Sequence, residues 1–330
     1  MTLRLVAVSA VAVAAIATGA AGAAPAPIHI GLILKGLDNP YFVAMFEGVR
    51  AEASRLGARL STRAATSNAD AAGQAARART LVAGGDACYI ANPINRSNLI
   101  APLRGVRRPV VDVDSVIDPV AARRAGIQIA TYIGTENVAA GALAARGMRA
   151  LLPRGGDVAL VGGLASDIGS HQRLAGFVLG ARGTRLHIVA RVAADFDRTR
   201  ARLAAGRLMR DRPALDGFFA ANDIMALGIA DALRASRKRS TVKVIGIDGI
   251  PDALDAIRQG SISATVAQYP YVMGQMAVDA CVAATRGARL PALVEAPVSL
   301  ITSANVVQAA AAFPRPPHGY PNPLAKLVRP

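Results

Sequence analysis

The chain reads as an α/β protein built from two doubly wound parallel-sheet lobes. Short β-branched apolar runs alternate with amphipathic stretches, and this alternation runs through two separate series. The length of 330 residues also exceeds the roughly 250–300 residues that one core usually serves. Parallel strands must be joined by long crossovers, usually helices, so such alternation implies sheets flanked by helices. Hydrophobic residues make up 52% of the chain, ample for two cores.

Taken in order, residues 1–27 read as an export signal. Arg4 supplies a positive start, and Leu5–Ala17 is an apolar run shorter than the roughly 20 residues that span a bilayer. Ala21-Gly22-Ala23 offers a small-x-small cleavage site, which predicts an exported, periplasmic mature chain starting near Ala24. Ile28–Leu34 is apolar and β-branched, the pattern of a strand buried on both faces. Pro40 opens a helix to about Leu56, with Gly57 just past its end. Strand Cys88–Ala91 precedes helix Ser97–Gly105, and Val110–Val113 ends the fourth unit. The second series pairs Val158–Val161 with Gly169–Gly180, Phe218–Ala220 with Asp223–Ala235, and Val242–Ile247 with Pro251–Gln259. Ala264–Gln268 before Val272–Thr285 completes it. Residues 313–330 are Pro-rich and read as an extended or loosely docked tail.

Composition removes several function classes. The formal charge of +16 suggests nucleic acid, but the basic residues are nearly all Arg, scattered over many helix faces without interleaved aromatics. Solvated surface charge explains them, and no nucleic-acid partner is expected. Cys88 and Cys281 are the only cysteines; they could pair in an oxidising compartment or stay as buried thiols. Neither they nor the four His show metal-ligand spacing, so no metal or cofactor is expected. The loop after the first strand, Lys35-Gly36-Leu37-Asp38-Asn39-Pro40, is not a dinucleotide fingerprint, and no Walker loop or nucleophile elbow occurs. These absences argue against an enzyme of those classes.

In open α/β sheets the ligand crevice lies at the carboxyl ends of the strands. Those positions here carry amides, carboxylates and rings: Asn39, Tyr41 and Phe42; Asn92; Asp114 and Ser115; Asn222; Asp248; Gln268. Carboxylates and amides match vicinal hydroxyls, and rings cover C–H faces while excluding water. Asp112 is read as structural, and His171 as a rim residue rather than a base.

Seven ordered motifs then carry a resemblance. They are Leu37-Asp38-Asn39-Pro40-Tyr41-Phe42, Ala91-Asn92-Pro93, Arg173-Leu174-Ala175-Gly176-Phe177, Ala194-Asp195-Phe196-Asp197-Arg198, Ala221-Asn222-Asp223-Ile224-Met225-Ala226-Leu227-Gly228, Gly246-Ile247-Asp248-Gly249-Ile250-Pro251-Asp252 and Ala264-Thr265-Val266-Ala267-Gln268. From about Ile28 to Ala304 the chain resembles the ribose-type periplasmic sugar-binding proteins, the type I solute-binding group. The resemblance implies sugar contacts at Asn39, Tyr41, Phe42, Asn92, Asp114, Arg173, Phe196, Asn222, Asp248 and Gln268. It implies three hinge crossovers near Thr135, Gln268 and Ser299, with an N-terminal lobe of 28–134 and 269–298 and a C-terminal lobe of 135–268 and 299–312. It also implies a monomer that closes on a sugar or polyol and is met by the membrane permease of an ABC importer. The alternative is a binder of a non-sugar polyol or signalling furanose that serves a chemoreceptor or sensor. Ribose binders carry Arg directly after the first-lobe Asp, whereas this chain has Ser115. That loss of a five-donor fork keeps the ligand class but not ribose itself.

Overall fold

The computed structural model describes residues 26–236 and 241–328; the expected export signal and its cleavage site at 21–23 lie outside the described residues. The first sheet opens with β1 (His29–Leu34), which pairs in parallel with β2 (Arg59–Ala64) on one side and β3 (Cys88–Ala91) on the other. That central position buries β1 at every residue after His29, as its continuous apolar run requires. Between β1 and β2 runs α1 (Pro40–Arg55), started by Pro40 behind an Asn39 cap and stopped at Gly57, whose φ is +65°. α2 (Ala71–Val82) and α3 (Ile100–Leu103) then alternate with β3 and β4 (Val110–Val113), before α4 (Pro119–Arg124) and β5 (Ile129–Gly134). The helix expected over 97–105 is a single turn, with Asn95 gathering the amides of Ser97 and Asn98 ahead of it.

The chain leaves this sheet at Thr135 and enters α5 (Asn137–Leu151), β6 (Gly156–Gly162) and α6 (Ile168–Ala181). Next come β7 (Leu186–Ala193), α7 (Arg198–Asp211), β8 (Gly217–Ala220), α8 (Asp223–Ala235), β9 (Lys243–Asp248), α9 (Pro251–Arg258) and β10 (Ala264–Gln268). It returns to the first lobe as α10 (Pro270–Thr285) and β11 (Leu293–Glu295), then crosses again to β12 (Val298–Thr302) and α11 (Val306–Ala312). The two six-stranded sheets have the matching orders β11-β5-β4-β3-β1-β2 and β12-β10-β9-β8-β6-β7. All pairs are parallel except β12 with β10. The third crossing falls at Ala296–Pro297, and Ser299 is already inside β12 opposite Ala267.

Aromatic packing is sparse, so aliphatic side chains and alanine make most of the core. In the second lobe Phe177 of α6 stacks on Phe219 of β8 with centroids 4.5 Å apart. In the first lobe α10 lies against α1 so closely that a Cβ on Gly48 would sit 2.0 Å from the Tyr271 carbonyl oxygen. Beneath α10, Cys281 is joined to Cys88 of β3 by a disulfide that closes 193 residues of chain, so the two cysteines are paired rather than free. The tail is docked: Leu324 and Val328 are buried, and a 3₁₀ turn at Ala325–Leu327 packs against α10.

Candidate functional site

Between the lobes, at the carboxyl ends of both sheets, lies a cleft of about 220 Å³. Asn39, Tyr41, Phe42, Asp114 and Ser115 line it from the first lobe, and Arg173, Phe196, Asn222 and Asp248 from the second. Residues more than 200 positions apart in sequence thus share one space. Asn92 and Gln268 stand one layer behind that surface, both almost wholly buried.

Each wall is built around one carboxylate. In the first lobe Asp114 follows β4 with φ +65°, a left-handed backbone that aspartate tolerates better than most residues. Its Oδ2 accepts from Lys35 Nζ at 3.2 Å, Asn92 Nδ2 at 3.0 Å and Ser115 Oγ at 3.2 Å. Its Oδ1 accepts from the Tyr41 hydroxyl at 3.0 Å, and its backbone carbonyl accepts from the Tyr132 hydroxyl at 2.9 Å. Burial opposes ionisation, but Lys35, Arg173 and these donors outweigh it and hold the Asp114 pKa below the ordinary aspartate value. Asn92 therefore orients the carboxylate rather than presenting itself to the cleft.

In the second lobe Asp248 ends β9 with φ +131°, and Gly249 follows at +75° where a Cβ would fall 2.5 Å from that of Ala267. Asp248 Oδ1 accepts from Gln268 Nε2 at 2.7 Å and faces Arg173 Nη1 at 3.4 Å. Behind it Asp223 gathers Gly249 N, Ile250 N and the Thr265 hydroxyl. Burial pushes Asp248 up to about 8, with Asp223 and Asp114 adding to the rise and Arg173 resisting it. Burial likewise lifts Asp223 to about 6. The second-lobe carboxyl is thus the proton-holding one of the two.

Arg173 is fixed by Nε to Asn137 Oδ1 at 2.8 Å and by Nη1 to the Ala221 carbonyl at 2.8 Å. Arg173 lines the cleft with Nε and Nη1 held in this way. Asn39 and Asn222 use their Oδ1 atoms to cap α1 and α8, accepting from Tyr41 N and Met225 N, so each has its NH₂ group left to donate. Phe42 meets Tyr41 edge-on at 5.1 Å, and Lys35 Nζ stands 5.1 Å from its ring centre. Phe196 follows Asp195 in two successive left-handed residues, and its ring lies over Gly163, where a Cβ would come within 2.2 Å.

Asp112 is buried and caps the turn by accepting from Ile117 N at 2.7 Å, and His171 is exposed with Nε2 2.9 Å from the Ala165 carbonyl oxygen. Sequence reasoning missed Lys35, whose Nζ also donates to Ser115 Oγ at 2.6 Å. A signal was present: Ser115 removes the guanidinium next to Asp114, and a buried carboxylate then requires a cation from elsewhere. Tyr132 and Asn137, which hold Asp114 and Arg173, carried no comparable signal.

Comparison with known proteins gives consistent findings. A family model described as the periplasmic binding protein domain matches residues 30–289. The ribose import binding protein of Bacillus subtilis (strain 168) is 31% identical over 276 residues, covering 83% of this chain and 87% of the relative. The D-allose-binding periplasmic protein of Escherichia coli (strain K12) is 30% identical over 292 residues, covering 87% and 94%. A solved carbohydrate transporter solute-binding protein from Agrobacterium radiobacter, in complex with D-arabinose, superposes with a TM-score of 0.78 at 27% identity, covering 86% of this chain and 96% of that one.

Proposed function

Because this chain belongs to the periplasmic binding protein family, we propose that it is the sugar-capturing component of an ABC importer, closing around one neutral monosaccharide or sugar alcohol. The curated relatives are named for binding ribose and allose, and the chain is a binding protein of that kind, not an enzyme. One observation carries the ligand class. The cleft sets a basic side chain against a carboxyl group on each wall, Lys35 with Asp114 at 3.2 Å and Arg173 with Asp248 at 3.4 Å, one from each lobe. Asp114 is held ionised against Lys35, and hydroxyls donating to Asp248 favour its ionised form against Arg173, so the occupied site offers charged hydrogen-bonding groups with little net charge, which suits vicinal hydroxyls. The rings of Tyr41, Phe42 and Phe196 supply apolar cover for C–H faces. A volume of about 220 Å³ is below the roughly 300–1,000 Å³ of drug-sized sites and suits one ring rather than two.

Closure is the working step. A ligand touching both walls favours the closed form by its differential affinity and shifts the lobes toward it. That closed shape is what a permease would recognise. A thermal-shift screen of the purified mature chain against pentoses, hexoses, sugar alcohols and nicotinamide cofactors tests the reading. Stabilisation by one or a few polyols and by no cofactor is expected, and Asp248→Ala should abolish the shift while leaving the fold intact. Stabilisation by a cofactor alone, or a shift that persists in that variant, would remove this assignment.

A further inference from the structure

The tail that follows α11 does more than fill a groove. α11 packs on α9 and buries Val306 and Ala309, so Ala312 is anchored to the second lobe. Arg315, only three residues on, is already fastened to the first lobe. Its guanidinium lies 4.8 Å from the Tyr271 ring centre, and Nη2 donates to the Tyr271 hydroxyl at 3.1 Å. Three residues reach at most about 10 Å when extended, so this connection has little slack.

Past that point the tail stays on the first lobe. The Tyr320 hydroxyl donates to the Glu295 carbonyl at 2.6 Å, and Asn322 Nδ2 donates to Asp279 Oδ2 at 2.5 Å. Leu324 and Val328 are buried against the lobe, and Arg286 Nη1 donates to the Val328 carbonyl at 3.1 Å. The contacts at Tyr271, Asp279 and Arg286 follow α10 in register with 315, 322 and 328 of the tail, so the two run side by side in the same direction. Two of the fastening points flank the pivot: Tyr271 lies just after the second crossing at Gln268, and Glu295 just before the third at Ala296–Pro297. A proline-rich segment is semi-rigid and loses little entropy on docking, which suits it to bear tension.

We propose that residues 313–328 form a fourth link between the lobes, a strap beside the pivot that limits how far they part. This rests on the reading that the lobes swing about their crossings, but it does not depend on which ligand they hold. Solution scattering of the ligand-free protein tests it. One variant ends at Phe313; a second keeps the tail but unfastens it with Arg315→Ala, Tyr320→Phe and Asn322→Ala. Trypsin cleavage at Lys326 reports whether the tail has come free, and circular dichroism whether the lobes remain folded. The expected result is a ligand-free radius of gyration larger by about 1 Å, against the roughly 19 Å of a compact chain of about 300 residues. An unchanged radius in either folded variant with its tail removed or released would overturn the strap. So would a tail that stays protected in the second variant. Loss of polyol binding by the wild-type chain would count against the functional reading and leave this measurement standing.

Discussion

At the residue scale, the two cleft carboxylates are set to opposite protonation habits. Asp248 is raised to about 8, first by burial. A carboxyl raised in the folded state favours folding most fully below its unfolded value near 4, and that contribution is lost as pH climbs through about 8. Hydroxyl groups donating to the carboxylate favour its ionised form, so ligand binding should expel a proton. Affinity should therefore rise between pH 6 and 8, with proton release seen by calorimetry in buffers of different ionisation enthalpy; a flat profile would contradict the assignment. Asp248→Asn should remove that slope and weaken binding about tenfold to a hundredfold, the worth of a charge-assisted hydrogen bond of roughly 1.5–3 kcal/mol. Lys35→Met leaves Asp114 buried without its nearest cation, and a loss of about 3–5 kcal/mol is expected, read as a lower denaturation midpoint. A melting curve unchanged by that substitution would show the pair to be idle. The positions that sequence exposed most clearly were those at strand ends, which topology brings to the crevice, although Asn92 and Gln268 stand one layer behind its surface. Lys35 escaped because its role depends on a partner 79 residues away, and spacing along a chain does not report such distances.

At the element scale, buried strands were easy to read and edge strands were not. β1 and β9 carry unbroken apolar runs because neighbours cover both faces. β2, with Arg59, Ser61, Thr62 and Arg63, and β7, with His187 and Arg191, close the outer edges of their sheets and mix polar residues into the strand. That mixing protects an edge from pairing with another chain and hides it from any pattern search. α10 explains two further features. It carries Cys281, whose bond to Cys88 ties it to the sheet; replacing both with Ala should cost roughly 2–5 kcal/mol in chemical denaturation, and a smaller loss would show that packing alone seats the helix. It also carries Asp279, buried beside Glu52 of α1, near Arg55 and in contact with Asn322. Burial and the neighbouring Glu52 carboxyl raise Asp279 to about 7, while Arg55 and other donors hold Glu52 below its usual value despite burial. Stability from the protonated Asp279 is present at acid pH and lost as pH rises through about 7. Asp279→Asn should flatten that part of the stability profile between pH 5 and 8, and an unaltered slope would remove the residue from the account.

At the scale of the whole molecule, the architecture was legible because repetition is: two series of strand and helix announce two sheets even before any contact is known. What repetition hides is which late segments belong to which early lobe. β11 and β12 are separated by two residues yet lie in different sheets, and nothing local in Leu293–Thr302 announces the change. The tail was harder still, since its composition fits both a loose end and a docked one. Closure itself makes a prediction here: the radius of gyration should fall when a stabilising polyol is added, and a radius that does not respond would mean that the cleft is preformed and rigid. The same interleaving bears on how the protein is made. The lobe that begins emerging first lacks its last sheet strand, its central covering helix and one half of its disulfide until about nine-tenths of the chain has been synthesised. Residues 28–134 must therefore wait, half-finished and with Cys88 unmatched, while the second lobe is being delivered. A chain cut short before Cys281 is left with its earliest-made part permanently open, which makes the integrity of the carboxyl-terminal third the point at which quality control can tell a finished molecule from a failed one.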